Sequence, residues 1–172
     1  LIPFEEAVKN NLRVIMPYYG IPVDQTQENV AMAFNKNILS DLLREDIGFN
    51  GVICSDWGII TGRHWGVNDL SIMERYEKSI HAGIDQFGGE TDTSHLIKLV
   101  KENKILESRI DNSVRRILIN KFDLGLFENP YVDENNIEQK VNTLRNINAG
   151  LDAQRKSLVM LENNGILPLK KE

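Results

Sequence analysis

The sequence predicts an α/β fold built from parallel βαβ units, on two observations. Short apolar runs at 12–18, 51–55 and 84–89 alternate with amphipathic stretches at 35–48, 72–83 and from 93 onward. That alternation is the pattern of parallel strands joined by crossover helices. The second observation is compositional: 172 residues, 41% hydrophobic and 26% charged, supply the apolar material of one ordinary globular domain. Two closures stay open on these grounds, a doubly wound open sheet or part of a (β/α)8 barrel. A whole barrel takes about 250 residues, so a barrel chain of this length holds only its last part.

Taken in order, "LRVIMPY" (12–18) reads as a buried strand, and "YGIPVDQTQENVAMA" (19–33) as a loop rich in breakers and polar groups. "NKNILSDLLREDIG" sets Ile38, Leu39, Leu42 and Leu43 on one helical stripe, with Gly48 as its stop. "GVICS" (51–55) is short, apolar and led by glycine, a second strand. A polar loop, "WGIITGRHWGVNDLS", leads to a helix in "IMERYEKSIHAG" and a third short strand and turn in "IDQFGG". From Thr93 the pattern is helical, with a long stripe of Ile110, Val114, Ile117, Leu118 and Phe122. "DLGLFENPYVDENN" breaks it with Gly125 and Pro130 and reads as a linker. "NAGLDAQRKSLVMLENNG" resumes as helix to about Gly165, and "ILPL" begins another extended piece. The ends, "LIPFEEAVKNN" and "NNGILPLKKE", are expected to belong to a longer polypeptide.

Several function classes lose support at once. A net charge of −5 without a basic tract offers no surface for nucleic acid or an anionic membrane. No apolar run approaches the ~18–20 residues that cross a bilayer. Cys54 is the single cysteine, so no internal disulfide is available; one thiol fits a reducing compartment. His64, His81 and His95 lack zinc-ligand spacing, and no phosphate-binding glycine motif occurs. No metal or cofactor is expected.

The apolar run at 51–55 ends on Ser55-Asp56-Trp57. In parallel α/β folds functional side chains stand at the carboxyl ends of strands. Strand alternation puts Cys54 and Asp56 on one face and Ile53 and Ser55 on the other. Asp56 there is either the cap of the following turn or a working carboxylate. Trp57 is either a core or lid residue, or a platform whose ring stacks on the C–H face of a sugar beside that carboxylate.

At this point "LLREDIGFNGVICSDWG" resembles the nucleophile segment of glycoside hydrolase family 3, the β-glucosidase family: leucine-arginine, Gly-Phe-x-Gly, an apolar strand, then Ser/Thr-Asp-Trp. "VIMPYYGIP" resembles the family's preceding strand and loop, "HAGIDQFGG" its Ala-Gly-x-Asp segment, and "LVMLENNGILPL" the opening of its second domain. Together these segments run in order from about Arg13 to Leu169. The resemblance implies the last three or so βα units of a (β/α)8 barrel over 1–125, a linker over 126–145, and the opening of an α/β sandwich domain over 146–172.

It further implies a retaining β-glucosidase in which Asp56 is the nucleophile. Trp57 would flank the leaving group, and Tyr19, with Met16 three positions before it, would line the sugar site; Tyr18 competes with Tyr19 for that place. Glu90 and Asp92 follow a strand and invite an acid/base role, but the family's proton donor comes from the second domain, beyond residue 172. Residues upstream of Leu1 would grip the sugar hydroxyls. Partners are therefore a β-glucoside or short β-linked oligosaccharide and the remainder of the same polypeptide. "DQFGGE" departs from the family's usual ending, and Arg63, His64 and Trp65 sit in an unusual loop, either lining the leaving-group side or as ordinary loop residues. Rival readings are the N-acetylhexosaminidase branch, a non-catalytic carbohydrate-binding remnant, and a phosphate-binding regulator, for which the acidic composition offers no anion site.

Overall fold

The computed structural model describes residues 1–170, in two units divided between Asn129 and Pro130. In the first, an eight-residue helix α1 (Ile2–Lys9) leads to β1 (Val14–Ile15). A single 3-10 turn (Met32–Phe34) precedes a helix over Asn37–Asp46. Strand β2 (Val52–Trp57), helix α2 (Ile72–Ala82), strand β3 (Gln86–Gly88), and helices α3 (Ser94–Lys101) and α4 (Glu107–Asp123) follow. The sheet runs in the order β1-β2-β3 and both pairings are parallel, so the molecule is the mixed α/β type that the alternation predicts.

Strand β2 is central, and its surroundings explain its sequence. Val52 pairs with Val14 and Ile53 with Ile15. A side chain at Gly51 would run into the carbonyl oxygen of Arg13 and the ring of Phe49, which is why the residue leading into β2 has none. Ile53 and Ser55 are buried, whereas the other face is covered at Val52 and opens through Cys54 and Asp56 toward the strand's carboxyl end. The covered face packs Ile53 with Leu39, Leu43, Ile80, Ile84 and Leu99. Each such aliphatic side chain contributes roughly 1.5–3 kcal/mol when fully buried.

The structure departs from expectation in four places. The first strand keeps ladder pairing only at Val14–Ile15, because Pro17 lacks an amide and the chain turns away after it. The Asn37–Asp46 helix is wound in the wide π form, and its closing bond runs from the Ile47 amide to the Leu42 carbonyl, five residues back. On α4 only part of the anticipated stripe is covered: Ile110 and Ile117 are half-buried, while Val114, Leu118 and Phe122 are exposed. In the second unit a 3-10 turn (Glu134–Asn136) and α5 (Ile137–Lys140) occupy the expected linker. Helix α6 (Leu144–Ser157) starts at a Thr143 cap and stops short of Gly165. The run at 158–169 has no regular structure, and Leu158, Val159, Leu161 and Ile166 lie exposed, so its apolar residues find no packing partner that would fix a helix or strand. No helix among the described residues is long and apolar enough to cross a membrane.

Candidate functional site

Asp56 and Trp57 are the last two residues of β2, at the carboxyl end of the central strand. One Asp56 carboxylate oxygen accepts the backbone N–H of Trp57 at 2.7 Å. The turn beyond the strand is capped by another acid. Glu90 Oε1 accepts the amides of Ile60 and Thr61 at 3.0 and 3.1 Å, and the Thr61 hydroxyl as well. The turn-cap reading thus passes from Asp56 to Glu90. Asp92 is likewise committed locally, accepting the Ser94 amide at 2.8 Å just before α3.

Tyr19 reaches the same point from the loop after β1. Its hydroxyl donates to the Trp57 carbonyl at 2.7 Å. Burial raises the Tyr19 pKa above its ordinary value, and the neighbouring Asp56 carboxylate raises it further; the Arg63 charge opposes them less strongly. The phenol therefore keeps its proton and donates. The Arg63 guanidinium lies over the Tyr19 ring, 5.2 Å from its centroid, and the Trp65 ring sits 5.5 Å from it, tilted by 56°. Tyr18 is turned outward and only brushes Tyr19. Met16 is exposed and lines a separate apolar groove of about 340 Å³ with Phe4, Ile15, Tyr18 and Leu42.

Trp57 is 68% exposed, which excludes a core role for it in this structure. Its indole lies over the turn after β3. A Cβ on Gly89, whose φ is +73°, would come within 2.6–2.8 Å of the indole ring, and Gly88 donates its amide to Ser55 Oγ at 2.9 Å. The Gly88-Gly89 pair is thus the seat of Trp57. The sequence marks this pair as the end of a short strand and its turn, and as a departure from the family's usual ending; its part in seating Trp57 depends on a strand thirty residues away.

The loop from Gly58 to Leu70 is held in place along its length. Besides Glu90, Arg75 of α2 donates to the carbonyls of Ile60, Val67 and Asn68, and the Ala31 amide donates to the Trp65 carbonyl at 3.0 Å. His64 keeps one ring nitrogen, Nδ1, away from solvent with no partner among the described residues. No cluster of three or more metal-ligating side chains occurs among them either. The arrangement can present one carboxylate, a phenolic donor and a large aromatic face together at a strand end.

Residues 1–119 match the family described as "Glycosyl hydrolase family 3 N terminal domain". The chain is 44% identical over 182 residues to beta-glucosidase C of Emericella nidulans, covering 99% of this chain and 29% of that protein. Among solved structures, a beta-glucosidase of intestinal bacteria involved in saponin metabolism superposes with a TM-score of 0.76 at 31% identity, over 97% of this chain and 22% of that one. A beta-glucosidase from Listeria innocua in complex with isofagomine gives 0.74 at 30% identity, over 98% and 24%. The chain therefore spans less than a third of the length of each of these relatives.

Proposed function

Because this chain belongs to glycosyl hydrolase family 3, we propose that it is the nucleophile-bearing part of a retaining glycosidase that releases terminal β-D-glucosyl residues. The observation that carries the reading is the Asp56 carboxylate at the end of the central parallel strand, with the Tyr19 hydroxyl and the exposed face of Trp57 beside it. Residues 1–125 are read as the last three or so βα units of a (β/α)8 barrel, 126–145 as a linker and 146–172 as the start of a second domain.

In the reaction, Asp56 attacks the anomeric carbon and the glycosidic C–O bond breaks. The leaving oxygen takes a proton from a general acid contributed by the rest of the polypeptide. Water then attacks the same carbon, that group accepts the water's proton, and the ester bond to Asp56 breaks, so the configuration is retained. Tyr19, its hydroxyl proton held by the Trp57 carbonyl, braces the strand end beside Asp56, and Trp57 stacks on the departing group, while Met16, in its separate groove, takes no part. No metal or cofactor takes part. A β-glucoside or short β-linked oligosaccharide is the proposed substrate.

The test uses the full-length enzyme and a 2-fluoroglucoside, whose glycosyl ester turns over slowly. Peptide mapping should place the label on Asp56, and Asp56→Asn should lower turnover by several orders of magnitude. A label on any other acid refutes the assignment.

A further inference from the structure

The Asp85 side chain is wholly shielded from solvent, and its partners come from three separate stretches of chain. Oδ2 accepts Arg44 Nη2 at 2.6 Å and the Ile53 backbone amide at 3.0 Å. Oδ1 accepts the Ser113 hydroxyl at 2.6 Å, Arg116 Nη1 at 2.9 Å and, more weakly, Arg109 Nη1 at 3.4 Å. A buried carboxylate persists only when it is paired and hydrogen-bonded in this way. Asp85 also donates its own amide to the Ile53 carbonyl at 2.9 Å. Ile53 therefore takes both backbone partners from one residue that precedes β3.

Arg44 extends the hold to the start of β2, donating to the carbonyls of Phe49 and Gly51 at 3.2 Å each. Ile53 stands three residues before Asp56 on the same strand, roughly 10 Å along it at the ordinary rise. A strand transmits displacement along its axis because each residue is tied to its neighbours, so the grip on Ile53 fixes how far Asp56 projects.

We propose that Asp85 is a positioning residue: through the Ile53 amide, with Arg44 behind it, it sets the axial place of β2 and thereby of the Asp56 carboxylate. This rests on the reading of Asp56 as nucleophile. Asp85→Asn supplies an N–H edge where every partner is a donor, so one side of the cluster must move. A misplacement of about 1 Å at a reacting group costs on the order of 100-fold in rate.

The experiment measures the rate at which a saturating 2-fluoroglucoside inactivates the full-length enzyme, well below each variant's Tm, together with Ki for glucose. For Asp85→Asn the inactivation rate should fall about 10- to 100-fold with Ki changed by less than about threefold. Ser71→Ala, which removes the side-chain cap of α2 and breaks no bond to Asp85 or its partners, should lower Tm and leave the inactivation rate near wild type. A wild-type inactivation rate in folded Asp85→Asn, or equal losses in both variants, overturns the proposal. Should Asp85→Asn fail to fold, Ser113→Ala carries the test: a fall of about threefold or more supports positioning, and an unchanged rate overturns it. Mapping the wild-type label separates the two readings. A label away from Asp56 removes the nucleophile assignment itself, whereas a label on Asp56 with an unchanged Asp85→Asn rate removes only the positioning role.

Discussion

At the scale of single residues, two side chains show how much hangs on what surrounds them. Trp57 stands free because two glycines leave it room, so Gly89→Ala should push the indole off its seat. We expect Gly89→Ala and Trp57→Ala to lose discrimination between aryl and small leaving groups alike, by roughly 10-fold; Trp57→Ala should change Tm little, whereas Gly89→Ala, strained at a φ of +73°, should also lower it. Equal loss for all leaving groups together with lower stability in Trp57→Ala would instead mark Trp57 as a packing residue. Asp85 makes the complementary case. Burial pushes its pKa up, but the Ser113 hydroxyl, the Ile53 amide and the guanidiniums of Arg44 and Arg116 outweigh burial and hold it below the usual carboxylate range. A carboxylate lowered on folding adds stability that is complete above the unfolded value and drains away as pH falls through the folded one. Urea midpoints followed from pH 7 to 2.5 should therefore decline below about pH 4 in the wild type, and more shallowly there in Asp85→Asn.

At the scale of elements, α2 is the best-specified piece. Ser71 accepts the Glu74 amide while the Glu74 side chain accepts the Ser71 amide, and Gly83 closes the other end. Ser71→Ala should cost about 1 kcal/mol, read as a lower urea midpoint with an unchanged slope. Elements whose order is local were legible from the sequence: α2 and β2 lie where periodicity and flanking glycines put them, and Asp56 and Trp57 fall at the strand end. What escaped depends on distant partners. Nothing near Asp85 announces that its donors sit at 44, 53, 109, 113 and 116. Nothing near Glu90 announces that it caps a turn thirty residues earlier. The π winding of 37–46 is equally silent, since Leu39 and Leu43 keep a spacing of four in either helix form. Helix α4 was overread because an apolar stripe reports a face able to be buried, and here much of that face remains exposed.

At the scale of the whole molecule, the first unit holds the parallel sheet and the candidate site, while the run 158–169 leaves several large apolar side chains uncovered. If the rest of the polypeptide covers them, limited proteolysis should cut the isolated chain within 158–170 and spare that stretch in the full-length enzyme. Early cleavage there in both would argue against such a cover. The fastening of the segment between Gly58 and Leu70 has a kinetic consequence. Anchored by a carboxylate, a guanidinium and a backbone amide from three other parts of the chain, it behaves as a rigid doorframe. Amide hydrogen exchange in this segment should then be slow in the intact enzyme and change little on ligand capture.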